Sequence, residues 1–129
     1  MIQISTELNE YRLNGVIAFL SGGAENARAH IYDGARPALG GEPVGNLLAS
    51  IVLMEPLGTV ENGLLTITPT NEVMIGNTGQ ATWARIVNGN AALAWDCDVS
   101  DINGTGELRL PSTTLYAGGY TRIVSGLLG

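Results

Sequence analysis

The spacing of apolar residues divides the chain into a helical start and a β-rich remainder. Across residues 5–21 apolar side chains recur at helical spacing, and three of them share one face: Leu13, Ile17 and Leu20. Ser5 or Thr6 is suited to be the N-cap, and Gly22-Gly23 ends the segment. We predict one short N-terminal helix. Its interior glycine, Gly15, weakens it by about 1 kcal/mol relative to alanine, so the helix needs a surface on which to dock.

After residue 23 the pattern changes to short apolar runs separated by glycine, proline and asparagine, which is typical of a sandwich or barrel. Seven runs and a weaker eighth are predicted strands: 27–32, 47–53, 64–68, 73–75, 82–87, 91–97 and 121–125, with 108–110 as the weaker one. The predicted fold is therefore mostly β, a β-sandwich of which the jelly roll is one form, with one short N-terminal helix. We expect a single domain over residues 1–129, with a helix or arm at 5–21 and the sandwich at 24–129.

The strongest hairpin signal in the chain is Asn88-Gly89-Asn90. A three-residue loop there would place Trp83 opposite Trp95 on one face of the sheet. A two-residue loop would instead place Trp83 opposite Ala94 and Trp95 opposite Thr82, on different faces. The sequence leaves both registers open.

Composition argues against several classes of partner. Hydrophobic residues make up 45% of the chain and charged residues only 14%, against about 25% in an average globular protein. The net charge is -6, and the six cations are scattered arginines, so we expect no nucleic acid partner. No apolar stretch is long enough to span a membrane, so we expect no membrane partner. The single cysteine and the lack of a secretion signal indicate synthesis in a cytoplasm.

Catalytic chemistry has little support in the sequence. His30 is the only histidine and has no neighbouring motif that would make it a general base. Cys97 lies late in an apolar strand, where a free cysteine usually behaves as a small hydrophobic residue. We therefore predict no enzyme activity, no catalytic residues and no cofactor.

An acidic segment at residues 96–107 has carboxylates at spacings like those of a calcium-binding loop. The position where an EF-hand needs glycine is Asp101, and the flanks are predicted strands. We predict a solvated acidic turn and assign no metal site, and we leave calcium binding open. A metal-dependent hydrolase would draw on this segment and the one histidine: Asp96, Asp98, Asp101 and His30.

Four short sequence motifs occur one after another along the chain. They are HIYDGARPA at 30–38, LLA at 47–49, GQATWARI at 79–86 and LRLPSTTLYAG at 108–118. This order resembles small β-rich virion proteins of tailed bacteriophages, of the capsid cement or decoration kind, and the resemblance spans residues 27–125. It implies a structural protein at the capsid surface of the virion, made in the cytoplasm of a bacterial host. Its implied partners are the major capsid protein and further copies of itself.

An uncharged stretch near the end of the chain is the predicted interface. Its candidate residues are Thr113, Thr114, Tyr116 and Tyr120, because tyrosine is enriched and charge is depleted where proteins meet. An alternative function is a receptor- or glycan-binding module of a tail or head fibre. Such a module would use aromatic stacking surfaces: Trp83, Trp95, Tyr116 and Tyr120.

Overall fold

The computed structural model describes residues 2–128, which form one helix and twelve strands. Their bounds are α1 Thr6–Leu20, β1 Arg28–Tyr32, β2 Leu47–Val52, β3 Gly58–Glu61, β4 Leu64–Ile67, β5 Val73–Met74, β6 Gly79–Gln80, β7 Trp83–Val87, β8 Leu93–Asp101, β9 Leu108–Leu110, β10 Thr114–Leu115, β11 Tyr120–Thr121 and β12 Ser125–Leu128. The prediction of a mostly β, sandwich-like fold with one helix is confirmed. The predicted domain runs from residue 1 to residue 129, and its two terminal residues lie outside the described part.

Eight of the strands form one curled sheet in the order β2-β1-β7-β8-β9-β12-β4-β3. The long strand β8 links its two halves, because its first part pairs antiparallel with β7 and its last three residues pair parallel with β9. Aliphatic residues from both halves belong to one core, including Ile31 and Ile86 from one half and Leu65 and Leu108 from the other. Two small two-stranded sheets, β10-β6 and β11-β5, complete the fold.

The helix docks on its own domain. Ser5 is the N-cap, and its hydroxyl accepts a hydrogen bond of 3.0 Å from the Leu8 amide. Leu13 and Leu20 are buried in the core, which supplies the docking that Gly15 makes necessary. No helix within residues 2–128 is long and apolar enough to cross a membrane.

The last predicted strand, 121–125, is wrong. Two separate strands, β11 and β12, lie on either side of residues 122–124. The Thr70 amide donates to the Ile123 carbonyl, and the Ile123 amide donates to the Thr70 hydroxyl. The Val124 amide donates to the Arg109 carbonyl, so this segment crosses between sheets. Sequence analysis also missed β3, β6 and β10, because runs of two to four residues with glycine or polar side chains carry no alternation of apolar residues.

Neither predicted register of the hairpin is correct. Trp83 lies opposite Asp98, and Trp95 lies opposite Ile86, so the two tryptophans are on different faces of the sheet. The register also shifts between Ile86 and Val87.

The turn between β7 and β8 explains why both predicted registers are wrong. The Asn88 side-chain oxygen accepts hydrogen bonds from the amides of Asn90 and Ala92, at 2.9 and 3.0 Å. Ala91 has a φ of 63°, a left-handed conformation that is rare for alanine. The side chain of Asn88 thus holds a loop longer than either predicted one.

Candidate functional site

The predicted interface residues lie on or next to two of the shortest strands, with Thr114 and Tyr120 on the strands and Thr113 and Tyr116 beside them. Thr114 on β10 pairs with Gln80 on β6, and Tyr120 on β11 pairs with Met74 on β5. The turn between β10 and β11 is closed by a 2.9 Å hydrogen bond from the Gly119 amide to the Tyr116 carbonyl. Both strands are thus held in place by pairing with distant parts of the chain.

Three of the four predicted residues line one groove of about 160 Å³, which we call the tyrosine groove: Thr114, Tyr116 and Tyr120. Ile75 and Leu115 form part of its buried lining. The rings of Tyr116 and Tyr120 are 66% and 61% exposed, so both remain open to a partner. None of the described lining residues carries a charge at neutral pH.

Thr113, the fourth predicted residue, lies beside the groove. Its hydroxyl accepts a hydrogen bond from the Gln80 amide nitrogen, and the Thr114 hydroxyl donates to the Gln80 oxygen at 3.1 Å. The Ala117 amide donates to the Thr78 hydroxyl at 2.9 Å. These side-chain bonds fix the backbone next to the tyrosines, so the groove is organised before any partner arrives.

A second cluster lies on the outer face of the sheet, away from the core. The Tyr32 and Trp83 rings stack at 4.6 Å, and the Arg85 guanidinium lies 5.2 Å from the Trp83 ring centre. Trp83 is fully buried and therefore offers no surface for a sugar to stack on. Trp95 is half-buried against the core. Of the four aromatic residues in the fibre hypothesis, the two tyrosines are the well-exposed ones.

Arg85 and Asp96 form the centre of this outer cluster. Arg85 Nε lies 2.8 Å from one carboxylate oxygen of Asp96, and its Nη2 lies 3.1 Å from the other. Nη2 also donates to the Gly41 carbonyl at 2.8 Å, and the Gly40 amide donates to Asp96. The hydrogen bonds to Asp96 raise the pKa of Arg85. Residues 33–46 therefore fold over this face, held by these hydrogen bonds to the ion pair and by a 2.6 Å hydrogen bond from the Thr82 hydroxyl to the Gly34 carbonyl.

His30 and Cys97 lie on opposite faces of the sheet. His30 pairs with Arg85 on the outer face, where burial, and then the charges of Arg28 and Arg85, lower its pKa. Cys97 is in the core, and burial raises the pKa of its thiol to about 12. The thiol is therefore protonated at neutral pH, and the sheet separates it from the imidazole.

The acidic segment is divided among separate partners. Asp96 binds Arg85, Asp98 lies 3.5 Å from Arg36, and Asp101 accepts a hydrogen bond from the Asn103 amide. The part of the chain that the structure describes contains no group of three or more His, Cys, Asp or Glu side chains able to hold a metal ion. His30 lies across β7 from Asp96, with Arg85 between them. The structure thus does not bring the four residues of the hydrolase hypothesis together.

A second groove, of about 400 Å³, lies between α1 and the start of β8 and was not predicted from the sequence. Its lining includes Gly15, Val16 and Phe19 from the helix and Leu93 and Trp95 from the strand. One feature of the sequence could have indicated this groove: Phe19 is a large apolar residue that does not lie on the side of the helix shared by Leu13 and Leu20.

A comparison with protein-family models found no match, and comparisons with curated proteins and with solved structures found none either. Function must therefore be argued from the residues and their geometry.

Proposed function

We propose that this protein is a structural virion protein of a tailed bacteriophage that cements or decorates the capsid by binding capsid subunits through the tyrosine groove. The observation that supports it best is this groove, an uncharged surface with two exposed tyrosines on a braced backbone. Tyrosine supplies a large contact area with little loss of side-chain entropy, and an uncharged lining avoids the desolvation of charge. The order of the four sequence motifs supports the same assignment.

The proposed mechanism is stabilisation by binding. A protein that binds assembled capsid subunits and not dissociated ones lowers the free energy of the shell at every occupied site. The effect needs only modest affinity at each site, because it is repeated over the shell. No catalytic step is part of the proposal.

The experiment is to count copies per particle in purified virions by quantitative mass spectrometry, with the major capsid protein as the reference. Hundreds of copies, comparable to the major capsid protein, are expected for a protein that covers the shell. Absence from virions would overturn the proposal.

A receptor- or glycan-binding module of a tail or head fibre is the second candidate. It is favoured by the same exposed rings of Tyr116 and Tyr120, since aromatic faces also stack against sugars. Fibres occur in a few tens of copies or fewer, so a count in that range would replace the capsid assignment with this one.

A further inference from the structure

The outward side of α1 is an exposed, mostly apolar surface formed by Leu8, Tyr11, Gly15 and Phe19, which we call the helix face, with Arg12 at its edge. Its three large side chains are 55%, 72% and 44% exposed, respectively. Spacings of three and four residues place all four positions on one side of the helix. This side is opposite Leu13 and Leu20, which dock in the core. The helix thus has a second apolar side that its own domain does not cover.

Gly15 lies in the middle of the helix face, and its own domain gives no reason for a glycine there. A Cβ added at Gly15 would meet nothing within 4 Å, and the residue sits in regular helix. Glycine is among the poorest helix formers, so alanine would suit the isolated domain better. A glycine does suit a position where a second backbone comes close. The groove beside it, lined also by Val16 and Leu93, leaves room for incoming side chains.

We propose that a second copy of this chain docks on the helix face, with the two α1 helices antiparallel and crossing at Gly15. Tyr11 and Phe19 lie four residues before and four residues after this glycine. A two-fold axis at Gly15 therefore places Tyr11 of each copy next to Phe19 of the other, so that one aromatic contact forms twice. A surface that is complementary to itself in this way identifies a second copy as the occupant.

The charges of the helix favour the antiparallel arrangement. Its three charged residues, Glu7, Glu10 and Arg12, all lie in the first half, and residues 15–20 carry no charge. An antiparallel pair sets each charged half against the uncharged half of the other copy and opposes the two helix dipoles. A parallel pair would instead bring the two Arg12 side chains close together, because Arg12 lines the groove beside Gly15 and Phe19.

The exposed area is sufficient for a dimer that forms and dissociates reversibly. The large side chains of the helix face, with Leu93 at the groove, expose roughly 500 Å² on each copy. If all of this area were buried, two copies would remove about 1,000 Å² from water, at the lower limit for specific interfaces. We therefore expect a dimer that is weak enough to dissociate on dilution.

The test is the mass of the full chain in solution, measured by sedimentation velocity from low micromolar to millimolar concentration. The wild-type chain should change from monomer to dimer, and Tyr11→Gln or Phe19→Gln should weaken the dimer at least tenfold. Ile102→Gln is the matched control, because Ile102 is similarly exposed, at 55%, but lies in the turn after the end of β8 that is distant from α1. A wild-type chain that stays monomeric overturns the proposal. So does a dimer that the Ile102 change weakens as much as the Tyr11 and Phe19 changes do.

Gly15→Ala tests the crossing point, because it should stabilise the monomer and weaken the dimer. It should raise the melting temperature of the monomer, measured at low concentration, because alanine favours the helix. It should weaken the dimer severalfold, because the added methyl groups separate the two helices. Dimers as tight as wild type would overturn the crossing at Gly15. Neither measurement involves virions, so failure here is distinct from failure of the proposed function.

Discussion

The two faces of the half-sheet β2-β1-β7-β8 are both covered, but by different kinds of residue. The inner face is aliphatic and includes Ile31, Ile51, Ala84 and Ile86. The outer face carries Tyr32, Trp83, Arg85 and Asp96 beneath residues 33–46. Apolar packing on the inner side needs only volume and shape, whereas burial of polar groups on the outer side is costly unless they have partners. Within residues 2–128, Arg85 and Asp96 are paired there, while His30 Nδ1 and Trp83 Nε1 are buried without a hydrogen-bond partner. The Arg85–Asp96 pair is thus one of the contacts that hold residues 33–46 over this face.

The largest expected effect comes from breaking that pair. Asp96→Ala leaves the Arg85 guanidinium, which is only 14% exposed, without its carboxylate, and removes the acceptor of the Gly40 amide. We expect the free energy of unfolding to fall by about 2 kcal/mol in urea denaturation. Asp98→Ala is the control, because its partner Arg36 is 43% exposed and Asp98 itself is 59% exposed. That change should shift stability by at most about 0.5 kcal/mol. Equal losses in the two variants would contradict the importance given to the buried Arg85–Asp96 pair.

A smaller effect concerns His30 on the same outer face. Its pKa is lowered from 6.5 in the folded protein by burial and by Arg28 and Arg85, so the unfolded chain binds a proton more readily. Stability should therefore be fully present above pH 6.5 and should decrease as the pH falls below it. The measurement is urea denaturation of wild type and His30→Gln between about pH 7.5 and pH 5.5, where histidine titrates and most carboxylates do not. The difference between the two proteins should shrink or change sign toward low pH. A constant difference would show that the pKa of His30 is not lowered in the folded protein.

The class of fold could be predicted because it follows from local patterns. Apolar runs marked β1, β2, β4 and β7, and the spacing of Leu13 and Leu20 marked the helix. Sheet order and register could not be predicted in the same way. The register of β7 with β8 depends on the Asn88 side chain closing a long loop and on a register shift after Ile86, neither of which changes the apolar pattern. The strand order depends on pairings between distant segments, such as β12 with β4.

Part of the candidate site could also be predicted from local features of the sequence. Composition alone marked Tyr116 and Tyr120, since both lie in one uncharged stretch. The groove between them exists because Thr114 pairs with Gln80 and Tyr120 pairs with Met74, and such long-range pairings leave no local signal. The helix face was not predicted from the sequence. The helix has apolar residues on two sides, and only the side that packs into the core was considered.

The most direct test of the central claim, that the tyrosine groove binds the capsid, is rebinding to heads prepared without this protein. Co-sedimentation would compare wild type with Tyr120→Ala and with Leu39→Ala, a control residue that is 69% exposed and lies outside the groove. The account predicts that Tyr120→Ala weakens binding by about tenfold or more, as expected for an aromatic residue at the centre of an interface, while Leu39→Ala binds like wild type. Binding of Tyr120→Ala as tight as that of wild type would contradict it.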